Sequence, residues 1–253
     1  MPPAVSAWAA SRSKRATQFT EFASWDQAVA ESTGYTDSTI LDRVDAATRQ
    51  VIAGHAAYER DGFLFSEPDY RWQLATALLR AHARDGYLRV VDFGGSLGSV
   101  YWQHRNLLPT SGVEWTVVEQ PHFVERGKAL PTTAISFSDN LSAALAAQPT
   151  VVILSSVLQY MADPLQVIDQ VVDSSPGSVV IDRTPMHRGL TNIPTIQRVP
   201  PHIYSGSYPA WILSQSQLAH RLETRGKAIW FPGIEPDGRT RQGTPFQWQG
   251  LWS

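Results

Sequence analysis

Between Leu88 and Asp182 the chain alternates short, continuously apolar runs with amphipathic stretches. Leu88–Phe93, Trp115–Glu119, Ile135–Phe137, Val151–Ser155 and Val179–Asp182 are rich in β-branched residues and too short for helices, so they read as strands. Leu97–Leu108, Pro121–Ala129, Asn140–Ala147 and a segment opened by Asp163-Pro164 read as the helices between them. Proline suits a first helical position, where its missing N–H costs nothing, and an aspartate before it caps the free amides. Leu165, Ile168 and Val172 give that last helix one apolar face. Buried strands separated by helices predict an α/β fold with a doubly wound parallel sheet.

The flanks follow other rhythms. Residues 1–37 lack a clear pattern except for a short helix at Trp25–Ala30. Ser38 opens a helix carrying Ile40, Val44, Ala47 and Val51 on one face, and Asp61-Gly62 reads as the end of that segment. A further helix spans Tyr70–Arg84, with Leu74, Leu78 and Ala81 on one side and Asp85-Gly86 as its stop. Residues 1–86 are therefore expected to form a helical cap within the same folding unit as the sheet domain, 87–253. After Asp182 the alternation breaks into a segment rich in Pro, His, Arg and Tyr. So long a stretch is usually functional or holds short structure of its own. Ser214–Arg225 reads as a helix stopped by Gly226. Lys227–Phe231 and Phe246–Leu251, with no helix between them, predict a terminal antiparallel hairpin at the sheet edge.

Composition narrows the function. A chain of 253 residues, 43% of them hydrophobic, can bury a sizeable core. A net charge of −2 supplies no field for nucleic acid or an anionic membrane, so neither is an expected partner. The absence of cysteine removes disulfides, thiolate zinc sites, iron–sulfur clusters and a cysteine nucleophile. The histidines form no HExxH pattern, so no catalytic metal is expected. No targeting or membrane-spanning run is visible, and a cytoplasmic location is the expectation. Only Lys14, Lys128 and Lys227 among the 21 basic residues are lysine. Arginine suits carboxylate and phosphate recognition, although a codon bias would give the same excess.

Open α/β sheets bind ligands at the carboxyl ends of their strands. The first end is Asp92-Phe93-Gly94-Gly95-Ser96-Leu97-Gly98, where glycines permit close backbone approach and a helix start offers free amides. The second, Glu119-Gln120, places a carboxylate where both hydroxyls of a ribose could be held. The third is Ser138-Asp139-Asn140, with polar groups for a base edge. The fourth runs from Ser155 and Ser156 to Tyr160. Each signal is weak alone; four in this order are much harder to reach by chance.

The ordered ends resemble those of class I S-adenosylmethionine-dependent methyltransferases. The acid-x-Gly-x-Gly-x-Gly motif of that class is matched by Asp92, Gly94 and Gly98, with Ser96 in place of the middle glycine and Gly95 as an additional one. The strings Val91–Ser99, Val117–Gln120, Leu154–Tyr160, Ile181–Pro185, Val199–Tyr204 and Ser207–Trp211 are similar to one bacterial family of small-molecule methyltransferases with a DFGGSLGS first motif, from about Trp25 to Trp211. The resemblance implies a Rossmann-like methyltransferase sheet and S-adenosylmethionine as cofactor. It also implies that Asp92, Gly94, Gly95, Ser96 and Gly98 surround the methionine end and Glu119 holds the ribose. Gln120, Asp139 and Asn140 then approach the adenine, while Ser155, Ser156 and Tyr160 border the sulfonium and the substrate mouth.

With that cofactor the expected reaction is methyl transfer to a small polar molecule, at a carboxylate or sugar-type hydroxyl oxygen. It proceeds by polar displacement, since a radical route needs a cysteine-held cluster. Residues 183–211 are the expected acceptor side. His202 is the first candidate for a general base, with Arg183 as an anion clamp and Tyr204 as a further catalytic candidate. His187, Arg188, Tyr208 and Trp211 are candidates for substrate contact, and the Arg and His content tilts the acceptor toward an anion. Two readings compete: a cofactor-binding subunit without catalysis, and a nicotinamide-dependent oxidoreductase. The second fits less well, because Asp92 precedes the glycines.

Overall fold

A computed structural model describes residues 19–33, 38–199, 206–223, 228–233 and 237–253. Five strands form the parallel centre: β4 (Leu88–Phe93), β5 (Val113–Val118), β6 (Ser136–Ser138), β7 (Val151–Ser155) and β8 (Val179–His187). They lie in the order β6-β5-β4-β7-β8. Successive side chains of a strand point to opposite faces, and both faces are covered. Val90, Val117, Val151 and Ile153 pack beneath α2 (Ser38–Ile52), α3 (Trp72–Asp85) and α4 (Ser99–His104). Val91, Val118, Val152 and Leu154 face α6 (Leu141–Ala146), α7 (Pro164–Asp173) and α8 (Gln215–Leu222). α5 (Pro121–Lys128) starts at its proline, and the Asp163 carboxylate accepts the amides of Leu165 and Gln166 at the start of α7.

The terminal hairpin is present. β13 (Pro245–Trp252) runs antiparallel to both β8 and β11 (Ile229–Pro232), and β12 (Gly238–Arg239) adds a short pairing. The order β6-β5-β4-β7-β8-β13-β11 with one reversed strand gives the Rossmann-like sheet of class I methyltransferases.

Two expectations need correction, and the long segment after the fifth strand holds structure of its own. The helix from Ser38 ends at Ile52, and Asp61-Gly62 is the turn of a hairpin between β2 (Tyr58–Arg60) and β3 (Phe63–Phe65). The fifth strand continues beyond Asp182 to His187, because Thr184, Pro185 and Met186 pair with β13. The segment after it holds two more strands, β9 (Ile193–Val199) and β10 (Gly206–Ser214). A strand near the start of the chain, β1 (Phe19–Glu21), joins β9. α1 (Trp25–Glu31) follows, and its end is tied to β10 where the Ser207 amide donates to Thr33 Oγ1 (2.8 Å) and the Thr33 amide donates to Ser207 Oγ (3.1 Å). No helix among the described residues is long and apolar enough to cross a membrane.

Candidate active site

The carboxyl ends of the parallel strands open into a cavity of about 740 Å³. Gly94, Gly95 and Ser96 reach it from β4, Glu119 and Gln120 from β5, Asp139 from β6, Ser155 and Ser156 from β7, and Arg183 from β8. The N-terminal elements cover it with Val29, Thr33, Ile40 and Val44, and the β2–β3 hairpin adds Arg60, Asp61 and Phe63. Tyr160, Gln197, Tyr208 and Trp248 line the remaining wall.

Backbone strain gathers here. Six described non-glycine residues have positive φ, and four of them, Asp61, Ser96, Ser156 and Arg183, line this cavity. A left-handed residue with a side chain costs roughly 1–2 kcal/mol. Such conformations persist where surrounding contacts over-determine them, and they concentrate at functional sites. Ser96 stands at the middle-glycine position and takes φ 56°. Its amide donates to Glu119 Oε1 (3.1 Å), and the Gln120 amide donates to Glu119 Oε2 (2.9 Å). Glu119 thus ties the glycine-rich turn to the end of β5. Each oxygen keeps a lone pair for a further donor. Burial pushes its carboxyl upward, against the two amide hydrogen bonds.

Asp92 serves this turn from beneath. It is completely buried, it accepts Trp115 Nε1–H (3.3 Å), and burial lifts it to about 7. A Cβ on Gly95 would stand 2.6 Å from that carboxylate, so the turn lies directly on it. Gly98 caps α4, and neither Asp92 nor Gly98 lines the cavity. The Asn140 side chain caps α6 by accepting the Ala143 amide (2.9 Å), and Asn140 is also off the lining. Ser155 Oγ donates to Asp182 Oδ2 (3.3 Å), Gln159 Nε2 donates to Ser156 Oγ (3.1 Å), and Tyr160 donates to Gln197 Oε1 (2.8 Å).

The substrate-side candidates divide. Arg183 and Tyr208 line the cavity. His187 does not; its ring holds the turn after β8, with Nε2 at Thr191 O (2.8 Å) and Nδ1 accepting the Gly189 amide (3.1 Å). Arg188 is exposed on that turn. Trp211 stacks on Trp25 with centroids 4.9 Å apart and donates to Met161 O (3.0 Å), whereas Trp248 is the tryptophan on the lining. His202 and Tyr204 lie outside the described residues.

Arg60 emerges from the structure as a residue of the cavity, and Arg71, a candidate from the sequence, lies near it but off the lining. Arg71 forms a buried ion pair with Asp182, and its amide donates to His104 Nε2 (3.1 Å). His104 Nδ1 meets Val100 O (2.9 Å), and burial holds the imidazole down at about 4. Arg60 precedes the Asp61-Gly62 turn and is 3% exposed. An Asp-Gly pair between Tyr58–Arg60 and Phe63–Phe65 is a hairpin signal that could have located it.

The sheet order, the strand-end site and the reversed terminal strand together define a class I methyltransferase fold. Among solved structures the chain is similar to the N-terminal domain of EvdMO1 crystallised with SAH and D-fucose, at 15% identity over 86% of this chain and 98% of that one, TM-score 0.51. It is also similar to the same domain with SAH bound, at 14% identity over 86% and 98% of the two chains, TM-score 0.50. A further similar structure is SAM-bound CalS10, an amino pentose methyltransferase from Micromonospora echinaspora, at 11% identity over 73% and 91%, TM-score 0.43. At these identities the likeness is one of fold. No family model matches the chain, and no curated protein sequence does.

Proposed function

We propose that the chain is an S-adenosylmethionine-dependent methyltransferase acting at oxygen on a small polar molecule. The observation that carries this reading is the convergence of the ends of β4, β5, β6 and β7 on one cavity, with Glu119 on its lining. The donor set suits the cofactor. A carboxylate held by two amides can accept a ribose diol, Gln120 and Asp139 offer polar atoms to a base, and Phe93, Val100 and Phe123 add apolar walls. In this reading Gly94, Gly95 and Ser96 surround the methionine end, Asp92 and Gly98 shape their turn from outside the cavity, and Asn140 positions Asp139. Ser155, Ser156 and Tyr160 border the reacting centre. When bound, the cofactor would supply a sulfonium methyl for in-line attack by an acceptor oxygen, with the sulfur leaving as a thioether.

The chain's own part is to align and enclose. α1, α2 and the β2–β3 hairpin cover the cavity and exclude water, so these elements act as a cap on the sheet domain. Arg183 and Tyr208 face the acceptor, and the arginines favour an acidic one. His202 is assigned the proton of a hydroxyl acceptor; a carboxylate acceptor needs no base. Bound SAH in the EvdMO1 domain supports the choice of cofactor.

Calorimetric titration with S-adenosylhomocysteine and with NADH tests this reading. Binding of the first alone is expected, and NADH binding alone would overturn it. Glu119→Ala is expected to weaken S-adenosylhomocysteine binding at least tenfold while the far-UV circular dichroism is kept. His202→Ala should keep cofactor binding and lose turnover.

A further inference from the structure

The β2–β3 hairpin of the cap reaches the start of α4 through one carboxylate. Glu59, in β2, is 1% exposed. Its Oε2 accepts the Gly62 amide (3.0 Å), a bond within the hairpin. Its Oε1 accepts the Ser99 hydroxyl, 40 positions further along the chain. Among the described residues Glu59 forms no ion pair. Burial is the largest influence on its carboxyl, and the neighbouring charges of Asp61 and Arg60 act on it in opposite directions. A carboxylate buried without a counter-charge is costly.

Ser99 carries that charge toward the cavity. It is the first residue of α4, and its amide donates to Gly95 O (3.3 Å). It lines the cavity together with Gly94, Gly95 and Ser96. A serine hydroxyl has one hydrogen and two acceptor lone pairs. The hydrogen is committed to Glu59, so toward a ligand Ser99 Oγ can only accept. The carboxylate behind it strengthens it as an acceptor and favours a positively charged donor. In the reading above, the methionine end of the cofactor lies at this turn. That end carries two positive centres, a sulfonium and an ammonium, and only the ammonium has hydrogen-bond donors.

We infer that Ser99 accepts a hydrogen bond from the ammonium group of the cofactor, and that Glu59 of the cap orients Ser99 and supplies the counter-charge. This rests on the methyltransferase reading above. Glu59 does not line the cavity and acts through Ser99, so it is a positioning residue. Glu59 belongs to the hairpin and Ser99 to the sheet domain. The amine is therefore held in full only while the hairpin is docked on α4, and the cap takes part in recognising the cofactor as well as covering it.

The test uses the full chain and two ligands, S-adenosylhomocysteine and its deaminated analogue, in which butyrate replaces the amino acid. Both keep the adenosine, the thioether and the carboxylate. Calorimetry on the wild type is expected to show S-adenosylhomocysteine binding about tenfold tighter, as the loss of one hydrogen bond to a charged group implies. Glu59→Gln and Ser99→Ala should lose most of that preference, with the affinity for the analogue staying within about threefold. Ser99→Thr keeps a hydroxyl and should retain part of it. Glu119→Ala should weaken both ligands together, because both carry the ribose. If S-adenosylhomocysteine does not bind the wild type, the methyltransferase reading fails and the inference with it. If it binds but the analogue binds equally well, the inference alone fails. It fails likewise if the preference survives in Glu59→Gln and Ser99→Ala, and a loss of affinity for both ligands alike would mark a merely structural pair. Should Glu59→Gln fail to fold, Ser99→Ala and Ser99→Thr decide the outcome.

Discussion

At Gly94 the backbone turns out of β4 with φ +70°, and a Cβ there would stand 2.3 Å from Val157 Cγ2. Val157 is buried, so it has little room to yield. Gly94→Ala is therefore expected to cost about 2–4 kcal/mol, part from the left-handed backbone and part from overpacking. Adding Val157→Ala should recover only the overpacking part. Urea unfolding midpoints of the single and double variants separate the two; full recovery would mean that the backbone conformation is cheap. Gly94 is legible in the sequence, because a glycine just past a buried strand marks a sharp exit of the backbone that a side chain would obstruct. Ser96 is legible as a departure from the glycine pattern. Its φ of 56° follows from the Glu119 carboxylate that fixes its amide, a contact no linear spacing displays.

Elements differ in how far pattern reveals them. Strands β4 to β8 and the helices between them follow from alternation, because full burial demands continuous apolar runs. The stretch from Thr184 to Ser214 hides its strands. Pro185, Pro194 and Pro209 interrupt it, and polar residues alternate with apolar ones on strands that cover only one side. The β2–β3 hairpin is obscured by its neighbour helix, and Arg60 with it. The link between cap and sheet is likewise invisible in sequence, since Arg71 and Asp182 are 111 positions apart. Their side chains are 6% and 0% exposed. Removing one member of a buried pair strands the other charge, so Arg71→Ala is expected to cost about 3–5 kcal/mol. Arg71→Met combined with Asp182→Asn should cost clearly less than the two single changes added. Equilibrium unfolding of all three variants checks this; strict additivity would show that the pair is not coupled.

For the molecule as a whole, the buried titratable groups set how stability changes with pH. Burial raises Asp92 and Glu59 to about 7, and Glu59 keeps its hydrogen bonds from Ser99 Oγ and the Gly62 amide. Glu119 is raised as well. In the unfolded chain each of these ionises near its ordinary value of 3.8 or 4.5. Between about pH 4 and 7 the folded state therefore binds more protons at these sites, and stability falls as pH rises. His104 acts oppositely: it is neutral when folded down to about 4, against 6.5 when free, so its contribution grows as pH rises from 4 to 6.5. Three raised carboxyls outweigh one lowered imidazole. The chain is expected to be more stable at pH 5.5 than at pH 8, by roughly 1–3 kcal/mol. Urea unfolding across that range tests the sign, and stability that rises with pH would refute it. Asp92→Asn should flatten the dependence and stabilise the protein at pH 8, because the amide can still accept the Trp115 N–H without a charge to desolvate. S-adenosylhomocysteine adds a second constraint. The two amides on Glu119 favour its ionised form, and a ribose diol donating to the same carboxylate would favour it further. Binding is then expected to release protons, and calorimetry in buffers of different ionisation enthalpy would measure that release.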